Sequence, residues 1–228
     1  MTPIDAFFDR IFAVNLKRRE DHRGQLVSML ESIGIPENRI TWFDAYDKPT
    51  DSEGRPNANM GCTTSHAAIL HVIAHERIPK TLILEDDCDV AFTSPARRDR
   101  VQPQRIFSEA IADLPSDWEM LYLARHFAEM PQKRISKNVI RIGRMLNTAA
   151  YGVTLDFARR AAPHIGGVGP IDNLFWPFHR EGKCYCIDPT LFIQRPGFSD
   201  LHDKFEDYSG AMQDMNHIKA LDSGTTYG

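Results

Sequence analysis

Short apolar runs that stop abruptly in polar residues alternate with segments of helical period through the first hundred positions. RIFAVNL (10–16), bounded by KRRED, reads as a buried strand ending near Asn15. Leu26, Met29, Leu30 and Ile33 then recur at helical spacing, with Gly34 and Pro36 as the stop. ITWFDAYD is predicted as a second strand ending at Asp44. Lys48 to Met60 is rich in Pro, Gly, Asn and Asp, which excludes a regular element and makes it a candidate mobile lid. In GCTTSHAAILHVIAHE, Thr and Ser stand at capping positions and Ile69, Leu70 and Ile73 share one face, so a helix is predicted from near Thr64. TLILEDD follows as a strand, apolar almost throughout before its acids, the pattern of a parallel strand covered on both faces.

The second half predicts a helix at Gln104 to Ala112, a strand at EMLYLA (119–124), and strand-like stretches at VIRIG and NTAAYGVT. DFARRAAPHI reads as a helix followed by Gly166, and IDNLFWPFHREG as another, weakened by Pro177. CYCIDPTLFIQ supplies one or two strands, whose Cys184 and Cys186 share a face as buried structural thiols. From Pro196 the polar SDLHDKFEDYSG and DSGTTYG predict an irregular tail that orders on ligand binding. Alternating strands and helices imply an α/β fold with a mainly parallel mixed sheet flanked by helices: one domain over 1–200, with 201–228 as its irregular tail. In such sheets ligands sit at the carboxyl ends of strands, here Asn15 to Arg19, Asp44 to Ala45 and Glu85 to Asp89.

Composition narrows the function classes. With 228 residues, 42% hydrophobic and 25% charged, the chain can bury a core and is neither disordered nor fibrous. A net charge of -4 argues against a nucleic-acid partner, although local basic clusters can still hold a small phosphate ligand. Asp5 and Asp9 interrupt the N-terminal apolar stretch, so it lacks a signal-peptide core, and no segment has the length of a transmembrane span. Cys62, Cys88, Cys184 and Cys186 lack C-x-x-C spacing and are too sparse for a disulfide scaffold. The expected setting is cytoplasmic, or peripheral at a membrane, with reduced thiols.

LILEDDCDV (82–90) sets four carboxylates against an apolar run. In an extended chain Glu85, Asp87 and Asp89 point one way and Asp86 the other. Clustered carboxylates repel when desolvated and call for a cation or arginine partner, and oxygen-only ligands suit Mg²⁺ or Mn²⁺ better than zinc. An acidic turn capping the next helix is the competing reading. Lys17, Arg18 and Arg19 suit a diphosphate, or a solvated helix start. Ser65 and His66 fall in the first turn of the predicted helix, where free N–H groups attract anions; capping and packing is the alternative. Asp172, at the start of a helix after a glycine-rich turn, is either a cap or a general base at a pocket rim. G-x-G-x-x-G, P-loop and G-x-S-x-G patterns are absent.

In this order FAVNLKRREDHR, WFDAYD, GCTTSHAAIL, LILEDDCDV, DWEMLYLAR, NTAAYGVTLDFARR, GPIDNLFW and DPTLFIQRPGFSD make the chain resemble glycosyltransferase family 25, which includes bacterial lipooligosaccharide galactosyltransferases and procollagen galactosyltransferases. The resemblance runs from about Ile11 to Asp200, with GC-x-x-SH followed by LEDD as its most specific pairing. It implies a GT-A type nucleotide-sugar-binding fold and inverting transfer of galactose or glucose from a UDP-sugar. The implied acceptor is a glycan, a lipid-linked saccharide as in lipopolysaccharide biosynthesis, or a protein. It implies Mn²⁺ or Mg²⁺ held by Glu85, Asp86 and Asp87, with Asp87 the leading direct ligand, Asp89 a bystander and His202 a possible extra ligand. Asp172 would be the base. Asn15, Arg18 and Asp44 would surround the uridine and diphosphate with Ser65 and His66 nearby, while Gln194, Ser199 and Asp200 close the site. A metal-dependent phosphohydrolase and a non-catalytic nucleotide-sugar binding module are the alternatives. Ala124 and the YGVT run depart from the family pattern.

Overall fold

Chain order places α1 (Pro3–Phe7), β1 (Arg10–Asn15), α2 (Glu20–Ser32), β2 (Ile40–Asp44), α3 (Ala58–Glu76), β3 (Lys80–Glu85) and β4 (Cys88–Val90) in the first part of the molecule. There follow α4 (Pro103–Asp113), β5 (Met120–Tyr122), β6 (His126–Phe127), β7 (Lys133–Arg134), β8 (Val139–Arg141), β9 (Met145–Leu146) and β10 (Ala150–Thr154). The remainder comprises α5 (Leu155–Ala161), α6 (Ile171–His179), β11 (Cys184–Ile187), β12 (Phe192–Gln194), β13 (Gly197–Ser199), β14 (Lys204–Glu206) and α7 (Ser209–Met212). This computed structural model describes residues 1–91, 102–127, 132–167 and 169–212.

The central sheet has the order β2-β1-β3-β10-β5-β11-β8-β7. β1 is parallel to β2 and β3, and β11 is parallel to β5. β10 is antiparallel to both its neighbours, as is β8, so the other six strands share one direction and the sheet is mixed but mainly parallel. Alternation along the strands feeds two cores. Ile11, Ala13, Leu82 and Leu84 pack with Leu26, Leu30, Ile106 and Phe107 of α2 and α4. Phe12, Val14 and Ile83 pack with Ile69, Phe157 and Phe175 of α3, α5 and α6. The result is a helix–sheet–helix sandwich in which both faces of the parallel strands are apolar, as their unbroken hydrophobic runs require. Gly152, part of the YGVT departure, makes room for Phe8: a Cβ there would lie 2.6 Å from the buried ring.

Two differences from the sequence expectations matter. First, α3 begins at Ala58, not near Thr64, because Asn57 accepts the Met60 N–H and caps the helix a turn and a half earlier. Second, the segment after Pro196 is ordered where it was expected to be irregular: β13 pairs with β14, and α7 follows. The DSGTTYG end lies outside the described residues. CYCIDPTLFIQ, expected as one or two strands, forms two, in different sheets: β11 joins the main one and β12 pairs with β4. That second pairing sets Gln194 opposite Cys88, next to the acids.

His179 gives the fold a pH dependence. It is almost fully buried, shares a 3.0 Å hydrogen bond between Nε2 and the Tyr122 hydroxyl, and burial, with Arg144 nearby, pulls its pKa down to about 3. The unfolded chain takes that proton near the ordinary 6.5. Stability is therefore present above that value and is lost as pH falls from there toward 3. In urea titrations His179→Gln should show a smaller drop in midpoint than the wild type between neutral pH and pH of about 4.5; equal drops would remove His179 from the acid response.

Candidate active site

At the carboxyl ends of β1 and β3 lies a cavity of about 400 Å³. Register brings its walls together: Val14 is level with Glu85, and Asn15 with Asp44. The reversal of β10 returns Asn147, Thr148 and Ala149 to the same end, where Glu85 N–H donates to Ala149 O at 2.9 Å. Ser65, His66, Glu85, Asp86 and Asp87 line one part of the cavity; Asp172, Gln194, Ser199, Asp200 and His202 line the rest.

β3 ends at Glu85 and the chain turns at Asp86 and Asp87 before β4, so the alternation expected of an extended LILEDDCDV stops at Glu85. Each acid meets its own partner. Glu85 accepts from Thr148 Oγ1 at 2.6 Å, and His66 Nε2 lies 3.3 Å from Glu85 Oε1. Burial alone would raise the Glu85 carboxyl, but His66 and Thr148 outweigh it and hold it below its ordinary value. Asp86 Oδ1 lies 3.1 Å from His22 Nδ1. Asp87 Oδ2 accepts from Gln194 Nε2 at 2.8 Å, while its buried Oδ1 has no hydrogen-bond partner. Burial, then the charges of Glu85 and Asp86, push the Asp87 carboxyl well above its ordinary range. Asp89 sits in β4 outside this cavity, its Oδ1 accepting from Val90 N–H at 2.7 Å.

The earlier start of α3 changes the reading of Ser65 and His66. They lie in the interior of the helix, not at its anion-attracting first turn. Ser65 donates to Gly61 O at 2.7 Å and accepts the Tyr46 N–H at 3.0 Å, pinning the Tyr46–Lys48 wall to the helix. A Cβ at Gly61 would lie 2.3 Å from Tyr46 O, so glycine permits that close approach. His66 is fully buried, with Nδ1 2.8 Å from the Tyr151 hydroxyl, which leaves Nε2 facing Glu85. Its contacts steady the protein's own Glu85 carboxylate.

Asn15, Arg18 and Asp44 stand behind the wall. Asn15 donates Nδ2 to Arg19 O at 3.4 Å, shaping the loop after β1, and Asp44 is exposed at the end of β2. Arg18 pairs with Asp47 at 2.9 Å and with Asp200 at 2.8 Å; Arg19 also pairs with Asp200. Burial would raise the Asp200 carboxyl, but the two guanidinium groups outweigh it and hold it low. The pairs strap the β13 end onto the β1–α2 loop. His202 Nδ1 is 3.2 Å from Glu206 Oε1. Asp172, in the first turn of α6 behind Pro170, accepts from Asn147 N–H at 3.2 Å and from Asn173 N–H at 2.7 Å. The sequence reading missed His22, Asn147, Thr148 and Cys62, which also line the cavity. His22 lies inside the quoted FAVNLKRREDHR, and only the register of β1 against β3 reveals its partner.

Comparison with known proteins agrees with the motif order. No protein-family model matches the chain. The mouse protein procollagen galactosyltransferase 2 is 25% identical over 190 residues, covering 73% of this chain and 29% of that protein. A Drosophila melanogaster glycosyltransferase 25 family member is 25% identical over 188 residues, 72% of this chain and 30% of that protein. The chain is a relative of glycosyltransferase family 25. A human protein named inactive glycosyltransferase 25 family member 3 is likewise 25% identical, over 83% of this chain and 32% of that one. This family 25 relative thus spans about a third of the length of the curated proteins it matches. Among solved structures, a glycosyltransferase involved in glycosylation of the major capsid of PBCV-1 aligns with TM-score 0.48 and 11% identity over 85% of this chain and 96% of that one. A Drosophila β-1,4-galactosyltransferase 7 complex with manganese, UDP-Gal and xylobiose aligns with TM-score 0.40 and 10% identity, over 92% and 73%.

The donor set of this family 25 relative fits a divalent cation. Asp87 Oδ1 is a buried, unpartnered oxygen on the cavity wall, beside two further carboxylates. That is an unfavourable arrangement that a dication relieves. Cys62, His66 and Glu85 form a second, softer set, with sulfur, nitrogen and oxygen within 4.8 Å of one another. Burial and the neighbouring carboxylates push the Cys62 thiol well up. Mn²⁺ and Mg²⁺ prefer oxygen donors to a thiol, so the oxygens of Asp87 and Glu85 are the better match for them. Among the described residues no helix is long and apolar enough to cross a membrane.

Proposed function

We propose that the chain is a GT-A type hexosyltransferase. It would move galactose or glucose, with inversion, from a UDP-sugar to a hydroxyl of a glycan, lipid-linked saccharide or protein. The observation that carries this reading is the single cavity that joins Glu85, Asp86 and the unpartnered Asp87 to a separate carboxylate, Asp172. Family kinship supports the nucleotide-sugar chemistry.

In this reading Asp87 and Glu85 hold Mn²⁺ or Mg²⁺, with His202 near enough to the cavity to join on rearrangement. Such a cation would supply charge neutralisation for the departing diphosphate. The chain's own residues do the rest. Asp172 takes the proton of the acceptor hydroxyl as its oxygen forms a bond to the anomeric carbon. The bond from that carbon to the β-phosphate oxygen breaks, its electrons leaving with UDP. His66 and Thr148 keep Glu85 ionised and oriented, and His22 orients Asp86. Arg18 and Arg19 face Asp200 and can exchange that partner for phosphate oxygens.

The test is UDP release from a panel of UDP-sugars with Mn²⁺ and without a defined acceptor. Slow, Mn²⁺-dependent release from UDP-galactose or UDP-glucose is expected, with a raised melting temperature when both are present. Phosphate release from simple phosphoesters without sugar transfer would favour a phosphohydrolase. UDP binding without turnover on any acceptor would favour a binding module.

A further inference from the structure

NTAAYGVT enters the preceding mechanism only through Thr148, yet its first residue touches both ends of the site. Asn147 has φ of +70°, in the left-handed region that asparagine and glycine adopt at least cost. This backbone aims its N–H at Asp172 Oδ2, 3.2 Å away. Its side chain then points the other way: Nδ2 donates to Gln194 Oε1 at 2.6 Å, and Oδ1 accepts the Ala149 N–H at 2.8 Å. Gln194 continues the chain by donating Nε2 to Asp87 Oδ2 at 2.8 Å.

The direction of this chain is fixed by counting donors. A carboxylate can only accept, so the Gln194 amide must turn its nitrogen to Asp87 and its oxygen away. That oxygen needs a donor, and Asn147 Nδ2 provides it. The Asn147 amide is fixed in its turn, because its own oxygen is occupied by the Ala149 N–H. Reversing either amide would set oxygen against oxygen. A continuous hydrogen-bonded path therefore joins Asp172 to Asp87, with Asn147 donating outward to both ends: its N–H to Asp172, and its Nδ2 through Gln194 to Asp87.

We propose that Asn147 is a positioning residue that holds the base Asp172 and the cation ligand Asp87 in one frame by orienting Gln194. This rests on the hexosyltransferase reading for the roles of the two carboxylates. Asn147 need not touch donor or acceptor; it acts through the groups it orients. The left-handed turn fits this role, since with it one residue serves Asp172 with its N–H and Gln194 with its side chain.

Asn147→Gly separates this role from general stability, since glycine keeps both the positive φ and the backbone N–H to Asp172 while deleting the amide. Mn²⁺ affinity, read directly by electron paramagnetic resonance, should weaken roughly ten-fold, as for loss of a group that orients a ligand. At saturating Mn²⁺ the KM for UDP-galactose should stay near the wild-type value and kcat should fall, while the melting temperature of the metal-free protein changes little. Asn147→Asp, which sets an acceptor against Gln194 Oε1, should lose more Mn²⁺ affinity than Asn147→Gly. Unchanged Mn²⁺ affinity in both variants would overturn the proposal, as would a loss matched by an equal loss of thermal stability. If the wild type binds Mn²⁺ but releases no UDP, the transferase reading fails while the resonance comparison still decides the role of Asn147. If the wild type binds no Mn²⁺, both fail.

Discussion

Asp87→Asn should remove Mn²⁺-dependent UDP release and at the same time raise the melting temperature of the metal-free protein. The two effects have one cause. Asp87 is buried beside Glu85 and Asp86, and one of its oxygens has no hydrogen-bond partner. Without a cation, ionising it opposes folding; with one, the same charge becomes the binding energy. Asparagine keeps an oxygen for the Gln194 Nε2 and adds an N–H where carboxylates face it. Removing the repulsion should add about 1–2 kcal/mol, the usual gain from relieving a functional site. For a chain of this size that corresponds to roughly 2–8 °C. The loss of charge neutralisation at the leaving group should cost several kcal/mol of transition-state stabilisation, about two to three orders of magnitude in rate. Scanning calorimetry in chelator and a UDP-release assay read the two arms. A lower melting temperature would show that the buried carboxylate is not a strained group. Retained activity would move the cation to Cys62, His66 and Glu85, in which case Cys62→Ser becomes the inactivating variant.

Much of the sheet is visible in the sequence because its central strands β1 and β3 are buried and read as unbroken apolar runs, with the edge strand β2 marked by its own aromatic pair. RIFAVNL, ITWFD and TLILE became β1, β2 and β3 with nearly the expected ends. The failures have physical causes. Placing the α3 start near Thr64 followed the Thr and Ser residues, but the cap is Asn57, hidden at the end of a Pro- and Gly-rich loop. That error also placed Ser65 and His66 at an anion-binding helix end, whereas they hold Tyr46 and Glu85. The two-residue strands β6, β7 and β9 are too short to leave any periodicity. The acids of LILEDDCDV announced a site, but not its partners: His22, Thr148 and Gln194 come from distant stretches and meet only through the order β1-β3-β10 and the pairing of β12 with β4. Composition and period describe each element's own surface. They do not carry the register that joins one element's end to another's.

Asp172→Asn should behave differently from Asp87→Asn, and the contrast separates base from cation ligand. Asp172 lines the same cavity as the acidic turn, on the first turn of α6, and its carboxylate is held by the N–H groups of Asn147 and Asn173. Asparagine can still accept one of those bonds, so the fold and the acidic turn should survive. Mn²⁺ binding and the donor-induced rise in melting temperature should therefore remain at wild-type levels. What asparagine cannot do is take a proton. Transfer to an acceptor hydroxyl should fall by about two to four orders of magnitude, the usual worth of a positioned general base. The loss should appear in kcat and not in the KM for the UDP-sugar, because a general base acts on the acceptor proton only as the transition state forms. A variant that keeps full transfer would exclude Asp172 as the base. The proton would then have to go to Asp47, Asp86 or Asp200, the carboxylates on the same cavity that this mechanism leaves without a chemical step.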